Sequence, residues 1–297
     1  MKITICGGTG FIGKALSEHL LQQGHEVVII TRKVPETAQN GSKYLTWDQI
    51  DATPVLLEGT EAIVNLAGSS LSQRWTPKSK QSIIESRMKT VQAVSKLVHT
   101  LHQKPAVVVQ ASAIAIYGTS RVDTFSEESP EHVVDFPSSV VKEWEDTAEL
   151  IQGVRLIKLR TSVVLGTHGG AFPLMKLPYT LGFGGKIGSG KQWVSWIHLH
   201  DMVRLIEFCI THPDISGPVN ASAPEPVTNN QFGQTVGHIY HRPHWFPVPS
   251  FLMKTFLGEL SLIILEGQRV IPDKILKHGF RFDYPTLEKA LQNLKEN

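Results

Sequence analysis

Gly7, Gly8, Thr9, Gly10, Phe11, Ile12 and Gly13 follow a short apolar run containing Ile3 and Ile5. They precede a stretch with apolar residues at Ile12, Ala15, Leu16 and Leu20 that stops at Gly24. Glycines placed between a buried strand and an amphipathic helix serve a particular chemistry. Gly7 and Gly10 permit a tight turn and close backbone approach to a pyrophosphate, Gly13 permits close helix-strand packing, and the phosphates meet the N–H groups of the helix N-terminus. Val27, Val28, Ile29 and Ile30 then form a second buried strand, which completes a strand, helix, strand unit of the length that dinucleotide binding requires.

The end of that second strand selects between cofactors. A site for NAD places a carboxylate there for the ribose 2′-hydroxyl, whereas this chain reads Thr31, Arg32, Lys33, with no acid before Glu36. Two cations and a hydroxyl suit a 2′-phosphate, and a guanidinium can also stack on adenine. NADP(H) is therefore the expected cofactor, against a plain solvated basic loop as the alternative.

The elements that must position these groups alternate between strand and helix, the pattern of a doubly wound parallel sheet. Strands are expected at residues 43–48, 62–68, 106–112 and 154–160, and helices at about 80–102 and 138–152. Proline clusters at Pro224 and Pro226, and at Pro243, Pro247 and Pro249, mark the start of a C-terminal segment. The expected organisation is an α/β Rossmann domain over 1–245, with about 166–192 and 221–245 on the substrate side, and a small, mainly helical module over 246–297.

At 297 residues and 41% apolar content the chain can bury a sizeable core, and a net charge of +2 gives no electrostatic footprint for nucleic acid. Cys6 and Cys209 stand alone in apolar segments and read as buried thiols in a reducing, cytoplasmic compartment. No leader or membrane-spanning run is recognised, so no membrane partner is expected. Neither substrate nor oligomeric state is legible.

GGTGFIG, VNLAG at Val64 to Gly68 and IYG at Ile116 to Gly118 resemble the extended short-chain dehydrogenase/reductase superfamily, which includes nucleotide-sugar epimerases and dehydratases. RWTPKSK, SRMKT, GSGKQWVSWIH, DMVRLIEF, GPVNASAPEPVTN and EGQRV further resemble atypical epimerase-family proteins with a small C-terminal domain of their own. The resemblance implies the fold and a nicotinamide cofactor. Contacts are expected at Gly7, Thr9, Gly10, Phe11, Ile12 and Gly13, at Thr31, Arg32 and Lys33, and at Asn65, Leu66, Ala67, Gly68 and Ser112.

That superfamily uses a tyrosine acid/base with a lysine four residues on. Here Tyr44, Tyr117, Tyr179, Tyr240 and Tyr284 are followed at that distance by Asp48, Arg121, Phe183, His244 and Glu288. In place of the family's tyrosine stands the segment Pro137, Ser138, Ser139, Val140, Val141, Lys142; Ala113 holds the serine position, one past Ser112, and Ser86 stands for an asparagine. The fold is thus implied more strongly than the epimerase reaction.

Tyr117 and Ser112 remain as catalytic candidates, Tyr117 as a proton donor with an ordinary phenol pKa near ~10. Arg74, Trp75, Trp193 and Arg269 are candidates for a substrate wall: arginine grips carboxylate or phosphate, and tryptophan lines a cleft. Each has a plainer reading as surface loop, core or salt bridge. Trp193 and Trp196 lie on opposite faces of one strand, so one faces the cleft and the other the core. His198 and His200 lack a third ligand, so no metal is expected, and Asp201 reads as a helix cap. Two functions follow: an NADP(H)-dependent oxidoreductase or epimerase-like enzyme on a small polar substrate, and an NADP(H)-binding sensor without turnover.

Overall fold

The protein is described from a computed structural model covering residues 1–35, 41–70 and 73–296, so Glu36 lies outside the described residues. β1 (Lys2–Cys6), α1 (Phe11–Gln22) and β2 (Glu26–Thr31) form the expected opening unit. β3 (Lys43–Thr46) ends short of Asp48 because Thr46 caps α2 (Trp47–Ala52). Its hydroxyl accepts the Gln49 N–H, and the Gln49 side chain accepts the Thr46 N–H in return.

β4 (Ala62–Asn65) leads to α3 (Pro77–Thr100), which starts earlier than apolar periodicity suggests because Thr76 and Ser79 form a capping box and Pro77 occupies the first turn. β5 (Val107–Ala113), β6 (Thr124–Phe125), α4 (Phe136–Ala148), β7 (Arg155–Thr161), β8 (Val163–Leu165) and α5 (Phe172–Thr180) follow. Then come β9 (Trp193–Val194), β10 (Trp196–His198), α6 (Leu199–Thr211), β11 (Gly217–Ala221), β12 (Val227–Thr228) and α7 (Asn229–Ile239). The chain closes with α8 (Ser250–Leu257), α9 (Leu262–Leu265), β13 (Arg269–Val270), α10 (Asp273–Lys277) and α11 (Leu287–Glu296).

The central sheet has seven parallel strands in the order β11-β7-β5-β4-β1-β2-β3. Alternation along each strand supplies two cores. Ile3, Ile5, Val27, Ile29, Val64 and Val109 pack towards α1 and α6. Val28, Ile30, Ile63 and Val108 pack towards α3 and α4. The carboxyl ends of β1, β4 and β5 lie side by side, where open α/β sheets place ligands.

The region beyond 246 is mainly helical and shares cores with the rest of the chain. Leu287, Ala290, Leu291 and Leu294 of α11 pack with Phe172, Tyr179, Trp196 and Phe232. β13 runs parallel to β6, with Arg269 beside Thr124.

Candidate functional site

The glycine turn is built by contacts that no side chain would allow. Gly7 has φ +82°, and a Cβ there would sit 2.9 Å from the Ala67 nitrogen; one at Gly13 would sit 2.3 Å from the Gly7 carbonyl oxygen. Gly10 differs, because a Cβ there meets only that same oxygen, at 3.3 Å, and its φ of −78° suits any residue. Gly10 caps α1 with no side-chain hydrogen bond, so the first N–H groups of the helix are left for something other than a capping side chain. An uncapped helix N-terminus over an open glycine turn fits a pyrophosphate.

Phe11 ties this turn to a second loop. Gly166, Gly169 and Gly170 close round its ring so tightly that a Cβ on any of them would fall within 2.7 Å of it. The ring thus locks α1 to the loop after β8.

The second loop of the site, after β4, is pinned from α3. The Ser69 N–H donates to Ser86 Oγ at 3.0 Å, Arg87 Nη1 donates to the Ser69 carbonyl at 3.1 Å, and Thr90 Oγ1 donates to the Ala67 carbonyl at 3.3 Å. Asn65 is fully buried: its Nδ2 donates to Gln110 Oε1 at 2.8 Å, and its Oδ1 accepts the Ala67 N–H. Its side chain therefore shapes the loop from inside the sheet, which corrects the expectation of direct cofactor contact, while Gly68 is exposed. Arg87 stands in the motif SRMKT, but its task was not read from the sequence, although an arginine on the apolar stripe between Ile83 and Val91 was a visible signal. It is buried over the Trp144 ring, 4.9 Å from its centroid, and burial pulls its pKa down to about 10.

Arg32 and Lys33 are exposed immediately after β2, and the hydroxyl of Thr31 donates to the Lys33 carbonyl at 3.1 Å. No carboxylate among the described residues pairs with either cation, so both are available to an anion.

The two catalytic candidates are corrected by burial. Tyr117 is fully buried and stacked on Phe125. Its hydroxyl donates to Asn220 Oδ1 at 2.8 Å and accepts from Arg160 Nη1 at 2.9 Å. Burial pushes the phenol pKa up, against the opposing pull of Arg160. Ser112 is also buried and donates to Glu145 Oε1 at 2.5 Å, and Arg160 grips both oxygens of that carboxylate at 2.9 Å. Both residues therefore belong to one internal polar network and are buried in it. The signal missed was the pair Glu145 and Arg160, charges placed among apolar neighbours.

The segment expected to stand in place of the family's tyrosine, Pro137 to Lys142, holds groups with structural partners. Ser138 is buried in the capping box of α4: its Oγ accepts the Val134 and Asp135 N–H groups at 2.9 Å, and its N–H donates to Asp135 Oδ1. Lys142 pairs with Asp146 and, at 3.7 Å, with Glu131. The hydrogen bond to Asp146 holds its ammonium above the ordinary lysine range, opposite to the shift that a relay needs.

Of the substrate-wall candidates, Trp193 and Arg269 meet. The guanidinium lies 4.8 Å from the indole centroid, and the indole Nε1 donates to the Arg121 carbonyl at 3.0 Å. Arg121 pairs with Glu266 at 3.8 Å, and Gln268 Nε2 donates to the Ile114 carbonyl, which ties this cluster to the turn after β5. Trp196 is fully buried and Trp193 half-buried, but they stand on separate strands, β10 and β9, with different partners, rather than on the two faces of one strand as expected. Trp75 is a correction: it is buried edge-on to Phe136, beside Ile83 and Val140. Arg74 is exposed, and its carbonyl accepts from Ser79 Oγ in the capping region of α3. His198, rather than Asp201, caps α6, with Nδ1 accepting the His200 N–H. Asp201 instead accepts the Asp283 and Tyr284 N–H groups at 2.9 Å.

Comparison with known proteins accords with this geometry. Residues 3–221 match the model of the NAD dependent epimerase/dehydratase family, and residues 248–294 match a domain of unknown function, DUF1731. The chain is 44% identical over 297 residues to the epimerase family protein YfhF of Bacillus subtilis, covering 99% of this chain and 98% of that one. It superposes on the crystal structure of human epimerase family protein SDR39U1 with NADPH at a TM-score of 0.93 and 36% identity, covering all of both chains. A nucleoside-diphosphate sugar epimerase from Corynebacterium glutamicum aligns at a TM-score of 0.78 and 28% identity, over all of this chain and 62% of that one. With a uncapped glycine turn on a seven-stranded parallel sheet and these matches along its length, the chain belongs to the NAD dependent epimerase/dehydratase family.

Proposed function

We propose that this protein binds NADP(H) and that its own side chains supply no proton relay to the nicotinamide. The observation that carries the reading is the engagement of Tyr117, Ser112, Ser138 and Lys142 in hydrogen bonds and ion pairs elsewhere in the structure. The cations Arg32 and Lys33, without an acidic partner among the described residues, and the NADPH of the human relative support the phosphorylated cofactor. The glycine turn and the amides of α1 would hold the pyrophosphate, and the loop 66–69, pinned by Ser86, Arg87 and Thr90, would border the rest of the cofactor. When bound, the nicotinamide supplies or accepts hydride.

This arrangement favours a binding protein that reports the NADP(H) pool over an epimerase. A second reading, an oxidoreductase on a small anionic substrate with water as proton source, rests on Trp193 flanked by Arg269 and Arg121. A reducing, cytoplasmic setting accords with Cys6 and Cys209, buried thiols whose pKa values burial raises, that of Cys209 to about 12. The test incubates the NADPH-binding protein with nucleoside-diphosphate sugars. No epimer above the buffer control is expected; turnover that disappears in Tyr117→Phe would overturn the proposal.

A further inference from the structure

Every exposed phenylalanine or tryptophan among the described residues lies on one lobe, in the loop after α5 or between α7 and α8 and in α8 itself: Phe183, Trp245, Phe246 and Phe251. Three of them are in contact with one another. Phe183 meets Phe246 edge-on at 5.9 Å, Trp245 meets Phe246 at 5.7 Å, and the Trp245 indole N–H donates to the Gly182 carbonyl. α5 adds Leu174 and Leu177 at helical spacing, with Leu181 just past its end, at 66%, 49% and 61% exposure.

Charge on the same segments is one-sided. From residue 150 through 200, and again from 226 through 258, the sequence contains no aspartate or glutamate. Lys186, Lys191, Arg242 and Lys254 are exposed there, and no carboxylate among the described residues pairs with them. The nearest acids in sequence past α8 are already engaged, Glu259 by Lys80 and Glu266 by Arg121. Every charged residue of these two segments is therefore a lysine or an arginine.

From this pairing of exposed aromatic and leucine side chains with unpaired cations we infer that the α5–α8 lobe is a docking face for an anionic lipid surface. Aromatic rings at a membrane interface need no matching socket, and nearby lysine and arginine are drawn to acidic headgroups. A second copy of this chain fits poorly, because a two-fold contact would bring the same cations together. No helix among the described residues is long and apolar enough to cross a membrane, so attachment through this face is peripheral. The inference does not depend on the cofactor reading.

The test is co-sedimentation of the full chain with vesicles of phosphatidylcholine alone and with vesicles containing an equal share of phosphatidylglycerol, at low and high salt. Wild-type protein is expected in the pellet with the anionic vesicles and to be partly released by salt. Leu181→Asp/Trp245→Ser is expected to lower the bound fraction ~10-fold or more with an unchanged melting curve. Lys186→Glu/Arg242→Glu, which leaves the apolar residues in place, should weaken binding to the anionic vesicles alone. Wild-type protein that stays in the supernatant with both vesicles, or binds both equally, overturns the inference. So does light scattering that shows a wild-type dimer converted to monomer by the first double variant, an outcome that assigns the face to self-association.

Discussion

The hydroxyl of Tyr117 is held between two buried partners, donating to Asn220 at 2.8 Å while Arg160 donates to it at 2.9 Å. Asn220 in turn donates through Nδ2 to the Ile271 carbonyl, and its N–H is accepted by Glu127. The tyrosine therefore links the turn after β5 to β11 and onward to the C-terminal segment. A residue in that position acts on stability.

Tyr117→Phe should lower unfolding free energy by about 1–3 kcal/mol, because Arg160 Nη1 and Asn220 Oδ1 lose a buried partner. NADPH affinity should stay within about twofold, since no other contact of the cofactor turn changes. Urea unfolding and NADPH fluorescence titration on the same preparation check both halves. An unchanged midpoint with a large loss of affinity would mean that the phenol faces the cofactor.

Gly10→Val should fold and lose NADPH binding. The backbone at Gly10 suits a β-branched residue, and its nearest obstacle is a single carbonyl oxygen at 3.3 Å, so the new side chain stands where the pyrophosphate would lie. Circular dichroism and titration distinguish this from Gly13→Val, which should fail to fold because a Cβ there would meet the Gly7 backbone at 2.3 Å.

Stability should fall as the pH drops from about 6.5 towards 4. His198 caps α6 through an unprotonated Nδ1, and burial, with His200 nearby, lowers its pKa from 6.5 to about 4. In that window the unfolded chain binds a proton that the folded chain refuses, so this contribution is complete above the unfolded pKa and is lost as pH falls through the folded one. The slope from this group approaches 1.4 kcal/mol per pH unit. His198→Asn, which retains a capping acceptor, should flatten the slope in unfolding curves measured across the window; a slope identical to wild type would dissociate His198 from it.

Lys142→Ala should leave NADPH affinity unchanged, since the ammonium is engaged by Asp146 and Glu131 on the surface. A titration showing a loss of tenfold or more would restore the lysine to the cofactor site.

The cofactor half of the site was legible because its signals are local. The run from Gly7 to Gly13 is a backbone requirement written directly into residue type, and Thr31 ends β2 with Arg32 and Lys33 immediately after it. The fold was legible for the same reason, since alternating apolar strands and helices leave few arrangements. The chemical half depends on contacts remote in sequence. Whether Tyr117 faces ligand or core is decided by Arg160 and Asn220, 43 and 103 residues away. Trp75 looked like a cleft residue until Phe136 and Val140 closed on it. Ser86, Arg87 and Thr90 were noticed as a motif, but their shared task of pinning Ala67 and Ser69 appears only when α3 is laid against the loop after β4.

The most direct measurement is calorimetric titration of the wild-type protein with NADPH and with NADH. The account predicts that NADPH binds tighter by about 1.5–3 kcal/mol through charge-assisted contacts to the 2′-phosphate, and that Arg32→Ala removes most of the difference while leaving NADH affinity unchanged. Equal affinities for the two cofactors, or a preference that survives Arg32→Ala, would contradict it.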